Sequence, residues 1–335
     1  MIESIPMSIL STQKVNCPVC STTCFNPPLY KYTSSNAASH FCPTTRNLDR
    51  YHRLEKVIRK LWQGDECVIL QCPQCGFAFG YPFVGGDEEF YQILHEQKGY
   101  PSWRWDYDIA IQEAITPFGG GKILEVGAGA GIFLRSLGQE WQSYAMEGSE
   151  TTRTDLESAG IFVLRDLSEI SQSEIGTFQV IVIFQVLEHI AEFHSVLKQC
   201  RQLLAAGGKI VITVPDGEAM IRQERITGCP DMPPNHINKW TPNSLSLALK
   251  QAGFIPQSSI SEPNSWSSFR GYLHLRVISD ATNSRSIAAQ VYRIQNKRLR
   301  SPLLAFLGLF ALIRMLPYFS ELSKGGAFAM IAVAQ

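Results

Sequence analysis

The chain has 335 residues, 45% apolar and 18% charged, the balance of a folded soluble protein with material for one large domain or several small ones. Lys+Arg and Asp+Glu stand at 30 each, so no overall charge draws it to nucleic acid or an anionic surface. The opening "MIESIPMSILSTQK" lacks a signal peptide's basic stretch and apolar core, and nine cysteines without such a signal fit a reducing, cytoplasmic setting.

In chain order, residues 1–100 read as an irregular zinc-binding module and connector. "NCPVCS" and "QCPQCGFAF" place Cys17, Cys20, Cys72 and Cys75 in two C-P-x-C knuckles. Each such turn presents two thiolates on one side of a tight loop, and two turns complete a tetrahedral Zn2+ site. Unpaired thiols or a redox pair are the alternative, and Cys24, Cys42 and Cys67 are possible substitute ligands. Between the knuckles, "RNLDRYHRLEKVIRKLW" (46–62) reads as a basic helix. Six Lys/Arg against two acids over 46–60 suit a solvated face better than a nucleic-acid groove, given the neutral whole.

"WRWDYDIAIQEAIT" (103–116) has helical spacing. Short apolar runs at 122–126, 143–147, 161–164, 178–184 and 208–214 then read as buried strands, with a sixth at 254–262 and a last at 327–335. Helical segments are expected at 130–138, 150–159, 189–205 and 242–252. Strand–helix alternation of this kind predicts an α/β fold, a doubly wound, Rossmann-like sheet covered on both faces. The predicted domains are 101–262, a helical insertion at 263–324, and a final sheet strand at 325–335. Within the insertion, "PLLAFLGLFALIRMLPYF" (302–319) is apolar but broken by Arg314 and Pro317, short of the roughly 20 residues a spanning helix needs. It is read as a buried or partner-facing helix, a peripheral membrane contact or a self-association surface.

"ILEVGAGAGIF" (123–133) closes the first strand of the sheet with Gly127, Gly129 and Gly131. A dinucleotide fingerprint wants its third glycine at 132, where Ile132 stands, and a P-loop wants a Lys-Ser/Thr pair that is missing. Glu125 would repel a pyrophosphate and welcome an ammonium group. S-adenosylmethionine carries an ammonium, a sulfonium and no phosphate. Glu147 ends the next strand, where a carboxylate can accept ribose hydroxyls, and Asp166 follows the third, in reach of an adenine amino group.

"ILEVGAGAGIFL", "AMEGS", "RDL" and "VIVIFQVLEHI" resemble successive motifs of class I S-adenosylmethionine-dependent methyltransferases. The last is similar to the segment of the branch holding ubiquinone-biosynthesis O-methyltransferases and sugar methyltransferases. The resemblance implies a seven-stranded methyltransferase sheet and a cofactor site lined by Glu125, Gly127, Gly129, Gly131, Glu147, Asp166, Leu167, Phe184 and Gln185. The knuckles ahead of such a domain resemble the zinc-bearing subgroup that includes sugar C-methyltransferases. By that likeness Tyr100, Trp103, Arg104 and Tyr107 are candidate lid residues. "HINKWTP" resembles a loop that closes over the substrate side. A base is needed for a hydroxyl or carbon acceptor, and His236 in that loop and His189 after the fourth strand are the candidates, His236 first. The expected function is methyl transfer to a small-molecule acceptor: a sugar, a lipid-linked compound or a secondary metabolite. The alternatives are a non-catalytic cofactor-binding protein and an RNA methyltransferase guided by the zinc module.

Overall fold

The computed structural model describes residues 14–24, 27–94, 96, 103–283 and 285–335, without the side chains of Thr151 and Ser267. Tyr100 lies outside the described residues.

The N-terminal module is not irregular. Strands β1 (Val15–Asn16) and β2 (Thr23–Cys24) pair as a small hairpin. Strands β3 (Tyr30–Thr33), β4 (Glu66–Gln71) and β5 (Ala78–Tyr81) form an antiparallel sheet. Helices Ser34–Phe41 and Leu48–Leu61 cover it, burying Leu54, Val57 and Ile58. The basic helix therefore forms as expected, with one face in the module's core.

The large sheet is built from β6 (Gly121–Val126), β7 (Trp141–Met146), β8 (Phe162–Leu164), β9 (Phe178–Phe184) and β10 (Leu204–Pro215). The two-residue β11 (Asn238–Lys239) follows, then β12 (Phe254–Ser261) and β13 (Ala327–Ala334). Seven of these strands run in the order β12-β13-β10-β9-β6-β7-β8, with β13 antiparallel to both neighbours. "FQVIVIF" is apolar from Val180 to Phe184 because β9 is central and covered on both faces. On one face Phe193, Leu197, Leu245 and Ala248 pack on Leu124 and Ile181; on the other Tyr107, Ala110, Phe133 and Leu156 pack on Ile123 and Val182. The strand order reverses between β6 and β9, which opens a crevice at the carboxyl ends of those strands.

Two expectations need correction. The segment 130–138 is not a helix: a single 3-10 turn, Leu134–Ser136, is all that forms. Gly131 at φ +66° delays any helical start, and Leu137 is already extended. The other correction concerns the module's edge. Strand β11 lies beyond β10 in sequence, yet it pairs with β5 and completes the module's sheet. Trp240, next to β11, is fully buried between Phe77 and Phe193, at ring distances of 4.6 and 4.9 Å. The "W-T-P" half of the loop is thus a joint: Trp240 ties the two units together and Thr241 caps the helix Pro242–Gln251.

The insertion is helical, as expected: Trp266–Thr282, Ile287–Tyr292 and Lys297–Met315 pack on one another before β13 returns to the sheet.

Candidate functional site

Each strand of the switch point ends in a chemically marked residue. Gly127 leaves β6 at φ +76°, and a Cβ there would lie 2.5 Å from Val186 Cγ2. Only glycine permits both the left-handed turn and the close approach. The N–H of Gly129 donates to Glu147 Oε2 at 2.8 Å, and Ser149 N–H donates to its Oε1 at 2.8 Å. These bonds lock the carboxylate at the end of β7 facing the turn. Asp166 follows β8; the Ser168 hydroxyl and then the Ser168 N–H, which donates to it at 2.8 Å, hold its pKa below the usual range. Leu167 is buried in the core beside it.

Glu125 is 2% exposed in the middle of this arrangement, and its Oε2 has no hydrogen-bond partner. Burial pushes its pKa well above the carboxylate range; Arg104 pulls it down, while Asp106 and Glu147 push it further up. An orphaned, buried carboxyl oxygen with two more acids near it is a place built to receive a cation. Arg104 pairs with Asp106 at 2.5 Å, and its guanidinium lies over the Tyr107 ring, 5.0 Å from the centroid. Phe184 meets both Tyr107 and Phe133 edge-to-face, and Tyr107 lies tilted on Phe133, so Tyr107 and Phe184 close the wall by packing. Asp106 also accepts from the Thr213 hydroxyl at 2.8 Å. Gln185 takes φ +56°, a conformation rare outside glycine that marks the end of β9 as constrained by its surroundings.

Beyond Arg104 and Gln185 opens a cavity of about 700 Å3, lined further by Trp103, Asp106, Asp231 and Tyr272. A depression of about 820 Å3 lies at the opposite, amino ends of the strands, near Gly121, Trp141 and Gln179, where doubly wound sheets do not bind ligands.

Next to the cavity, Glu188, His189 and His236 bring one ligand atom each within 4.8 Å of one another, close enough to share a proton or an ion. Asn238 holds the turn in place by donating to the carbonyls of Leu187 and Ile190, at 3.0 and 2.7 Å. The N-terminal sheet therefore scaffolds these histidines through β11. His189 Nδ1 sits 2.8 Å from the Asn235 carbonyl and 3.1 Å from the Tyr91 hydroxyl. His236 Nδ1 is 2.5 Å from Asp231 Oδ1, and its Nε2 is 4.0 Å from Glu188 Oε1. Burial opposes charge on His236, but Asp231 and then Glu188 raise its pKa overall. Glu188, 1% exposed, is pushed up to about 7 by burial against the pull of His236. Burial raises the Asp231 pKa, but His236, Lys239 and His40 together outweigh it and hold the group low.

The four knuckle cysteines converge, with all Sγ atoms within 4.8 Å of one another. Cys17–Cys75 and Cys20–Cys72 are 3.6 and 3.4 Å apart. A tetrahedron with Zn–S bonds of about 2.3 Å has edges of about 3.8 Å, so the set fits that ion. Cys20 is lowered to about 7: burial opposes this, but Thr22 and the thiols of Cys72 and Cys75 hydrogen-bond to its sulfur. Cys42 and Cys67 sit apart in the module's core.

Three residues were not foreseen as part of the site. Asp106 and Asp231 are lone acids with no motif, although each lies within five residues of a residue singled out, Arg104 or His236. Tyr272 comes from the insertion, where nothing in the sequence pointed to the crevice.

Comparison with known proteins adds the following. Residues 106–258 match the family model described as a methyltransferase domain. A ubiquinone biosynthesis O-methyltransferase of Roseobacter denitrificans is 28% identical over 185 residues, covering 49% of this chain and 71% of the relative. One from Escherichia coli is 24% identical over 166 residues, covering 45% and 67%. Among solved structures, a phosphoethanolamine N-methyltransferase of Haemonchus contortus in complex with S-adenosyl-L-methionine aligns with a TM-score of 0.40 and 18% identity, over 68% of this chain and 52% of that one. The N-terminal module and the helical insertion lie outside the matched family model.

Proposed function

We propose that this chain, a class I S-adenosylmethionine-dependent methyltransferase, methylates a hydroxyl of a small-molecule acceptor held in the cavity beside Arg104, Gln185 and Asp231. The observation that carries the reading is Glu125, a buried carboxyl with an orphan oxygen under a glycine turn at the switch point. Glu125 would take the cofactor's ammonium and Glu147 its ribose hydroxyls. Asp166, Leu167, Phe184 and Gln185 would complete the adenine and sulfur sides. When bound, S-adenosylmethionine supplies an electrophilic methyl group and requires in-line approach of the acceptor atom.

The chain's own residues would do the rest. Asp231 holds the His236 ring and favours a proton on Nδ1, which leaves Nε2 to draw the proton from the acceptor hydroxyl. His189, in contact with Glu188, is placed to pass that charge on. We further propose that Cys17, Cys20, Cys72 and Cys75 hold a structural Zn2+ that keeps the hairpin and β4–β5 together. The zinc module then serves the site indirectly, through β11. Calorimetry with S-adenosylhomocysteine tests the cofactor half: binding of one equivalent supports it, and no binding removes it. Transfer of labelled methyl to hydroxylated acceptors, lost in His236→Asn, tests the other half.

A further inference from the structure

The insertion carries a surface that the methyltransferase reading does not use. Leu299, Leu303, Phe306, Phe310 and Ile313 recur at i, i+4, i+7, i+11 and i+14 on the helix Lys297–Met315, and every one is exposed. Leu309, Leu316 and Phe319 widen the same stripe. The helix is about 28 Å long at 1.5 Å per residue, so this apolar strip exceeds what an ordinary soluble surface tolerates. Beside it runs a cavity of about 730 Å3 lined by Val277, Ala288, Leu303, Phe306, Phe310 and Ala311.

Charge names the occupant. From residue 281 to residue 320 the sequence holds Arg285, Arg293, Lys297, Arg298, Arg300 and Arg314, and not one Asp or Glu. In a chain that is neutral overall, six cations fall within the segment that carries its most apolar exposed face, and the acids just beyond its two ends, Asp280 and Glu321, are each paired with an arginine outside it, Arg276 and Arg225. A second copy docking by the same face would set six cations against six. An anionic lipid surface satisfies both components at once: apolar side chains enter the acyl boundary and the cations meet the headgroups.

By length and composition Lys297–Leu322 could also cross a bilayer. Its packing argues otherwise. Ala311 is buried with Val277, Ala281 and Ala288, and Met315 and Leu322 with Phe269 and Tyr272. Residues 323–326 alone separate Leu322 from β13, which is hydrogen-bonded between β10 and β12. Crossing would strip Ala311, Met315 and Leu322 from this packing and pull Leu322 away from β13, whereas lying flat does neither.

We propose that the helix Lys297–Met315 is a monotopic anchor that lays this methyltransferase on the surface of anionic membranes. The same insertion supplies Tyr272 to the site cavity, and Met315 of the anchor helix packs with it, so the anchor rests against the helix that lines the acceptor cavity.

The test is sedimentation of the full chain with vesicles of phosphatidylcholine alone or mixed with phosphatidylglycerol. Binding should require the anionic lipid and fall as salt rises. Phe306→Ser with Phe310→Ser should lower partitioning by about a hundredfold or more, since two aromatic rings no longer enter the acyl boundary. Lys297→Glu with Arg298→Glu should do likewise while S-adenosylhomocysteine binding stays unchanged. These side chains are exposed, so neither pair disturbs the fold. Failure to bind anionic vesicles, equal binding to neutral ones, or resistance to alkaline extraction would each overturn the proposal. So would a dimer that the Phe pair dissociates in the absence of lipid.

Discussion

Replacing Glu125 with Gln separates binding from folding. The side chain is 2% exposed, and its Oε2 lacks a partner in the free protein. Gln keeps the shape and removes the charge. A charge-assisted hydrogen bond to a buried cation is worth about 1.5–3 kcal/mol net, so affinity for S-adenosylhomocysteine should fall about 10- to 150-fold. Stability should not follow. Burial has raised the Glu125 pKa in the folded state, so the unfolded chain ionises first as pH rises. Folding stability is therefore lost between the ordinary carboxylate range and the raised value, and E125Q removes that loss. Binding carries the opposite sign. The ammonium favours ionised Glu125, so complex formation releases a proton, and affinity rises with pH by up to about one decade per unit until the free carboxyl ionises. Isothermal calorimetry in two buffers of different ionisation enthalpy reads both the affinity and the proton. Unchanged affinity in E125Q, or a wild-type affinity that falls with pH, would refute the reasoning.

Gly127→Ala sets a Cβ 2.5 Å from Val186 at φ +76° and should cost about 2–4 kcal/mol, strain and overpacking together. Gly119→Ala, at φ +70° with open space around it, is the control and should lose only the backbone part, about 1–2 kcal/mol, both read by urea denaturation. Elemental analysis should find about one zinc per chain, and Cys72→Ser should lose it; metal-free protein as purified would retire the site. His236→Asn should lower kcat by about 10²- to 10⁴-fold with cofactor affinity intact, and an unaltered kcat would move the base elsewhere.

Much of the sheet was legible because its strands are short apolar runs bounded by turns. Six of the seven fall within three residues of the expected limits at both ends, and the acids stand as expected, Glu125 near the end of β6, Glu147 just after β7 and Asp166 just after β8. The fifth, β10, begins four residues earlier than its apolar run, because "LAA" joins it before the bulge near Gly207 and Gly208. The segment 130–138 misled because Phe133, Leu134 and Leu137 all pack into one core cluster at the i, i+3 and i+4 spacing of a helix face, while the conformation of Gly131 is set by the turn it serves. The N-terminal sheet was missed although "ECVILQ" is an apolar strand run. Its partner β11 lies far along the chain, and such pairing leaves no local signal. The same distance hid the function of the loop around His236. Its histidine could be singled out by type, but Trp240 was read as part of a substrate lid and proves to be core. Acids such as Asp106 and Asp231 become informative only when the fold sets them against Arg104 and His236.

The most direct test is equilibrium dialysis of labelled S-adenosylhomocysteine against the full chain, with NAD and ATP as competitors. The account predicts one equivalent bound, displaced by S-adenosylmethionine and untouched by an excess of either phosphate-bearing nucleotide. Displacement by NAD or ATP, or their binding where S-adenosylhomocysteine does not bind, would contradict it.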